Sequence, residues 1–84
     1  MFTIIPGPGA KKFLKNLNKK IRERILNKIR ELSENPRPIG SIKVVGEKDT
    51  YRIRIGDYRV LYEIYYDREI ILVAKIDRRD RIYD

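Results

Sequence analysis

The clearest pattern in this chain is the alternation of polar and apolar residues from Thr50 to Tyr66, on both sides of Gly56-Asp57. A period of two residues, rich in β-branched and aromatic side chains, predicts two half-buried strands, and Gly-Asp predicts a two-residue turn between them. The turn fixes the register of the predicted hairpin. One face then carries Tyr51, Ile53, Ile55, Tyr58, Val60, Tyr62 and Ile64, and the other carries Arg52, Arg54, Arg59, Leu61, Glu63 and Tyr65.

A helical period appears earlier in the chain. Residues 2–5 form a short apolar run that stops at Pro6-Gly7-Pro8-Gly9, which predicts an edge strand and a turn. Two amphipathic helices follow, with a bend at Asn16-Leu17-Asn18 and an end at Asn35-Pro36-Arg37-Pro38. Their apolar positions are Ala10, Phe13, Leu14 and Leu17 in the first helix, and Ile21, Ile25, Ile29 and Leu32 in the second.

Two further strands complete the predicted sheet. Residues 42–45 form a short strand, and residues 70–76 are apolar on both faces, which predicts an interior strand. The order β-α-α-β-β-β-β predicts one α+β domain over residues 1–84, in which an N-terminal strand precedes an αα-hairpin packed on one face of an antiparallel β-sheet. The length of the turn before residue 70 leaves open which face Lys75 occupies.

Composition narrows the classes of partner. The 84 residues carry 20 Lys and Arg against 12 Asp and Glu, a net charge of +8, which favours nucleic acid or an acidic protein as partner. The chain has no cysteine and no histidine, which excludes disulfides, histidine–thiolate zinc sites and imidazole acid–base catalysis. We expect no cofactor. No apolar run reaches membrane-spanning length and no signal peptide is recognisable, so we expect a cytoplasmic protein with no membrane partner.

The arginines of the predicted hairpin need an explanation, because like charges directly opposite each other on antiparallel strands cost stability. Two interpretations stay open: a solvated outer face, or a site for an anion. The lysines of the first helical segment have the same two interpretations. They form either a solvated surface or a phosphate-tracking surface with salt-dependent affinity; they are Lys11, Lys15 and Lys19.

The succession TYRIRIGDYRVLYEI, an apolar strand and then DRRDRIYD resembles the RelE/ParE toxin superfamily of toxin–antitoxin pairs. Its members typically read yRirvGdYRviY and, near the end, gHRkdvY; ELSENPRP after a basic helix is also typical of them. The resemblance covers nearly the whole chain and implies a RelE-like fold. It implies either a ribosome-dependent mRNA endonuclease or a ParE-like inhibitor of DNA gyrase. A non-catalytic basic module that binds RNA or the ribosome is a third interpretation.

For a nuclease, the resemblance implies which residues surround the scissile phosphate. Arg52 and Arg54 match the two basic positions before the glycine turn, and Arg59 matches the dYR arginine. Arg79 matches the terminal arginine and Tyr83 the final aromatic. In that family the ribose 2′-hydroxyl attacks the adjacent phosphorus without a metal, in the ribosomal A site.

The resemblance also implies partners. We expect the ribosome, mRNA and an acidic, helical, RelB-like antitoxin that forms a hetero-oligomer with the toxin. Besides the three helical lysines, the residues expected to contact RNA are Lys43, Lys48, Arg78 and Arg81.

The chain departs from the family pattern at the groups that transfer protons. Arg78 stands where many relatives have histidine, and some relatives have lysine at the positions of Arg52 and Arg54. Arginine, with a pKa above about 12, is a poor general base. Proton transfer in a nuclease is therefore expected from Tyr83, from Lys43 or Lys48 if their loop folds over the site, or from the ribosome. Tyr83 has two further interpretations, stacking on a base or covering the sheet edge.

Overall fold

The computed structural model describes residues 1–78. These residues form five strands in one sheet, in the order β1-β5-β4-β3-β2, with both helices packed on one face. The predicted α+β class and chain order are confirmed. The sheet is mixed, because β1 runs parallel to β5 whereas the other neighbouring strands are antiparallel. The elements are β1 (Thr3–Pro6), α1 (Pro8–Lys15), α2 (Lys19–Glu31), β2 (Ile42–Lys43), β3 (Thr50–Ile55), β4 (Tyr58–Tyr65) and β5 (Ile70–Arg78).

The bend between the helices is held by two side chains from the start of α2. The Asn18 side chain accepts a hydrogen bond from the backbone N–H of Ile21 (3.0 Å), which caps the N-terminus of α2. Arg22 donates from Nη1 to the carbonyl oxygens of Leu14 (3.4 Å) and Leu17 (3.2 Å). Both carbonyls belong to the segment in which α1 ends, and the Leu14 carbonyl also accepts the backbone N–H of Leu17 (3.2 Å). The predicted bend is therefore confirmed.

The β3–β4 hairpin has the predicted register. Ile55 pairs with Tyr58, Arg54 with Arg59 and so on to Thr50 and Glu63. Gly56 has a positive φ of 59°, a conformation that costs glycine little. The two-residue turn thus fixes which side chains share a face.

The core lies between the helices and one face of the sheet, which we call the helix-bearing face. Its residues on β3 and β4 belong to the predicted apolar face, and Ile25 and Ile29 of α2 and Leu32, the C-cap of that helix, pack in the same core. Burial of this apolar surface is the main driving force for the fold. The buried strand residues are Ile53, Ile55, Val60, Tyr62, Ile64, Ile71, Val73 and Ile76.

A β-bulge in β5 decides the position of Lys75. Tyr62 pairs with Val73, but Leu61 pairs with Lys75, which leaves Ala74 as an extra residue. The bulge shifts the alternation by one, so Ile76 faces the core and Lys75 lies with Leu61 on the other face. The prediction that β5 is an interior strand is confirmed, since it lies between β1 and β4.

Two segments differ from the predicted boundaries. α2 ends at Glu31, before the predicted stop at Asn35-Pro36, and β2 is limited to Ile42–Lys43. Gly46 (φ 85°) and Asp49 (φ 49°) turn the chain away after β2. Neither helix in residues 1–78 is long and apolar enough to cross a membrane.

Candidate functional site

The side of the sheet that faces away from the helices is the candidate site, and we call it the open face. Three arginines and one lysine lie there beside two carboxylates and several half-buried apolar side chains. From the strand pairing, its residues include Arg52, Arg54, Arg59, Leu61, Glu63, Tyr65, Leu72, Lys75 and Asp77.

The three arginines occupy the end of the open face next to the β3–β4 turn. Arg54 lies directly opposite Arg59, and Arg52 lies one pair further along, opposite Leu61. Paired positions are about 5 Å apart, and alternate residues of a strand about 7 Å apart. Three guanidinium side chains therefore leave the sheet from a small area. Such a cluster is stabilised by an anion placed among the groups.

Arg59 and Arg54 have different surroundings. Arg59 is half-buried, and its Nε is buried without a hydrogen-bond partner among residues 1–78. A buried donor without an acceptor costs about 1–3 kcal/mol, and no group in residues 1–78 offsets that cost. Arg54 is exposed and donates from Nε to the Gly56 carbonyl oxygen (3.2 Å), which orients its guanidinium along the turn.

The bulge places Lys75 on the same face as the arginines, and the sequence contains a pattern that indicates this shift. Ile71 and Val73 are buried, and strict alternation would place Lys75 in the core as well. A charged residue at a core position, followed by the buried Ile76, is typical of a shift by one residue. Lys75 is exposed on the open face across from Leu61, and Asp77 lies on the same face opposite Arg59.

The other end of the open face is acidic. Tyr65 donates its hydroxyl to Glu63 Oε1 (2.6 Å), and this hydrogen bond and the carboxylate charge raise the pKa of Tyr65. Glu63 is four residues from Arg59 along β4, about 14 Å. A cleft of about 440 Å³ opens at this end, lined by Lys48, Asp49, Glu63, Ile64, Tyr65, Tyr66 and Asp67. The open face is therefore positive at the turn and negative at the opposite end, and Lys48 lies at the negative end.

Several residues predicted to contact RNA lie away from the arginines. Lys43 pairs with Tyr51 and Arg78 with Tyr58, so both side chains leave the sheet on the helix-bearing face. This corrects the expectation that Lys43 could fold over the arginines. Three exposed lysines lie on α1 and α2, across the sheet from the open face: Lys11, Lys15 and Lys19. Arg79, Arg81 and Tyr83 lie outside the described residues.

The comparison with known proteins agrees with the resemblance. The family profile described as ParE toxin of type II toxin-antitoxin system, parDE, matches residues 4–83. The chain is 38% identical over 80 residues to the putative toxin RelE1 of Methanocaldococcus jannaschii, with 87% of this chain and 88% of that protein covered. The chain belongs to the RelE/ParE toxin superfamily. This confirms the family predicted from the sequence.

Two further relatives refine the position within the superfamily. The chain is 30% identical over 74 residues to the mRNA interferase toxin RelE of Escherichia coli K12, with 86% of this chain and 77% of that protein covered. It superimposes on the RelE chain of the archaeal RelE–RelB complex from Pyrococcus horikoshii OT3 with a TM-score of 0.80. That pair is 28% identical and covers 96% of this chain and 98% of the other. The chain is thus a RelE-like toxin.

Proposed function

We propose that this RelE-like toxin cleaves mRNA on the ribosome, with the positive end of the open face around the scissile phosphate. The observation that carries the proposal is the register of the β3–β4 hairpin, which collects Arg52, Arg54 and Arg59 on one face. The E. coli relative is named an mRNA interferase, which supports the same class of reaction. A solvated outer face would not account for the buried Nε of Arg59.

In the proposed reaction the ribose 2′-oxygen attacks the adjacent phosphorus. The 2′-O–P bond forms as the P–O5′ bond breaks, which leaves a 2′,3′-cyclic phosphate and a 5′-hydroxyl. Negative charge builds up on the non-bridging oxygens in the transition state. Guanidinium donors held in place on a strand stabilise that charge without reorganising, and each fork can hold two oxygens.

The reaction also moves two protons, one from the 2′-hydroxyl and one to the 5′-oxygen. Lys43 and Lys48 lie away from the arginines, and Tyr65 lies at the acidic end of the open face, where its hydroxyl donates to Glu63. We therefore propose Lys75, Tyr83 or a ribosomal group as the proton carrier. A lysine is a better candidate than an arginine, because burial lowers the pKa of a lysine far more readily.

The role of Lys75 is tested by two substitutions. Lys75→Arg keeps the positive charge but removes a group that can titrate, whereas Lys75→Met removes both. Equal loss of cleavage in the two variants indicates proton transfer. Retention of cleavage in Lys75→Arg alone indicates an electrostatic role only, and retention in both removes Lys75 from the site.

We propose an acidic antitoxin of the RelB class as the protein partner, in a hetero-oligomer. The support is the net charge of +8 and the RelB-bound relative from P. horikoshii. We place the activity in the cytoplasm, where translating ribosomes present the mRNA. A short acidic protein encoded next to this chain would support the pairing.

Toe-printing of mRNA in a translation extract tests the nuclease proposal. The toxin is expected to produce new breaks inside translated codons, and Arg59→Ala is expected to reduce them by about 100-fold, as for loss of one transition-state donor. Arg79→Ala is expected to act in the same direction. Arg30→Ala on α2 is the matched control, since it removes the same charge from an exposed helical position. Breaks that persist in both Arg59→Ala and Arg79→Ala would refute the assigned site.

Inhibition of DNA gyrase is the second candidate, because the matching family profile is that of ParE toxins. A supercoiling assay that shows gyrase arrest while mRNA stays intact would favour it. Co-sedimentation with ribosomes that is lost with salt, without cleavage or gyrase arrest, would favour a non-catalytic binding module.

A further inference from the structure

An arginine from the helical layer lies against the turn of the β3–β4 hairpin. A Cβ built on Gly56 would lie 3.2 Å from Nη1 of Arg24 and 3.3 Å from both its Cζ and Nη2. Because three atoms of one guanidinium are almost equally distant from that point, the flat side of the group faces the glycine. Gly56 therefore has two uses: it accepts the positive φ of the turn, and its bare backbone leaves room for Arg24.

The same glycine also contacts Arg54. The Arg54 Nε donates to the Gly56 carbonyl oxygen at 3.2 Å. Adding the covalent distances within Gly56 places the two guanidinium groups no more than about 10 Å apart. Arg24 precedes the buried Ile25 on α2, so its side chain starts at the border of the core and ends at the tip of the hairpin. It thereby connects the helical layer with the positive end of the open face.

Among residues 1–78, no carboxylate forms an ion pair with Arg24 that would explain its position. Within residues 1–78 the ion pairs shorter than 4.0 Å are the N-terminal amine with Glu69, and Lys28 with Glu31. Asp57 is in the same turn, yet neither Arg24 nor Arg54 forms an ion pair with it in that part of the chain. A guanidinium stacked by its flat side keeps its N–H edge directed outward, which is the edge that binds phosphate in a bidentate manner.

We propose that Arg24 is a further RNA-binding residue, which contacts the backbone phosphate next to the one held by Arg54 and Arg59. This inference rests on the proposed function, because it extends the same RNA path. The strand would leave the open face over the Gly56 turn and continue toward Lys20, one helical turn from Arg24 on α2.

The test measures the salt dependence of RNA binding. The probe is a short single-stranded oligonucleotide with 2′-O-methyl riboses, which cannot undergo attack by the 2′-oxygen, and affinity is read by fluorescence anisotropy. Each phosphate contact on a single strand contributes about 0.7 to the slope of log K against log salt. Arg24→Ala is expected to lower the slope by about that amount, Arg24→Lys to keep it, and Arg30→Ala to leave it unchanged.

The outcomes separate this inference from the proposed function. If Arg59→Ala weakens binding and cleavage while Arg24→Ala behaves like Arg30→Ala, only the role of Arg24 is overturned. If Arg59→Ala changes neither binding nor cleavage, the proposed site itself fails. If Arg24→Ala lowers the unfolding temperature but leaves the salt slope unchanged, Arg24 stabilises the turn and does not bind RNA, which would also overturn the inference. Failure of the unsubstituted chain to bind the probe would do the same.

Discussion

The two faces of the sheet are built from the same strands and serve opposite purposes. On the helix-bearing face, residues such as Val60 and Ile71 are fully buried under the helices. On the open face, alternate residues of the same strands place Arg54 directly against Arg59. The first arrangement gains free energy by burying apolar surface, whereas the second loses some through repulsion. Alternate residues of the same strands thus serve stability on one face and binding on the other.

The largest expected contrast concerns two neighbours in β5. Ile71 is fully buried, and Leu72 is half-buried on the open face. Ile71→Ala is expected to lower the free energy of unfolding by about 2–5 kcal/mol, because it leaves a cavity in the core. Leu72→Ala is expected to cost about 1 kcal/mol, since less apolar surface returns to water. Urea unfolding measures both. Equal losses would show that the open face contributes to stability as much as the core does.

A smaller effect is expected at high pH on the helix-bearing face. Tyr62 is buried and donates its hydroxyl to the Pro36 carbonyl oxygen (2.7 Å), and burial raises the pKa of Tyr62 to about 12. The unfolded chain loses this proton near pH 10 and the folded chain near pH 12, so the stabilisation is present below pH 10 and is lost as the pH rises to 12. The expected loss is roughly 2 kcal/mol.

The control for this pH effect is Tyr62→Phe, which has no proton to lose. It is expected to be less stable than the unsubstituted chain at neutral pH by about 1 kcal/mol, because the hydrogen bond to Pro36 is absent. Its stability should then fall less steeply between pH 10 and 12. Urea unfolding at several pH values measures this. If the free energy of unfolding falls equally steeply with pH in both proteins, the assignment to Tyr62 is contradicted.

The smallest expected effect is a gain in stability on the open face. Arg54→Thr removes one of two opposed positive charges and introduces a residue favoured in strands, so the free energy of unfolding should rise by about 0.2–1 kcal/mol. The same substitution in an Arg59→Ala background should give a smaller gain, because the repulsion is already absent. A gain of equal size in both backgrounds would mean that strand propensity alone, and no repulsion, is being measured. Cleavage should decrease in Arg54→Thr despite its greater stability.

Local patterns in the sequence predicted most of this fold and part of its site. Strict alternation around Gly56 predicts the whole register of β3 and β4, because a two-residue turn leaves one pairing. The direction of β1 could not be predicted, since a short edge run pairs equally well in either sense. Lys43 was expected near the arginines, but a strand of two residues gives too little pattern to assign a face.

The remaining parts of the site depend on tertiary structure. Arg24 lies in a helical segment with many other basic residues, and nothing local distinguishes it from Lys20 or Lys28. Its position against Gly56 arises only when α2 packs across the sheet. Periodicity reports which side of an element is buried, but not which exposed side chain reaches a neighbouring element.

The extra residue in β5 has a consequence for every position that follows it. Because Ala74 is accommodated in a bulge, Lys75 and Asp77 point outward and Ile76 points inward. If β5 instead continued in strict alternation through Ala74, the orientation of all three would be exchanged, so an isoleucine would meet water and two charges would enter the hydrophobic layer. The chemistry displayed at the end of the strand is in this way governed by a residue that has almost no chemistry of its own.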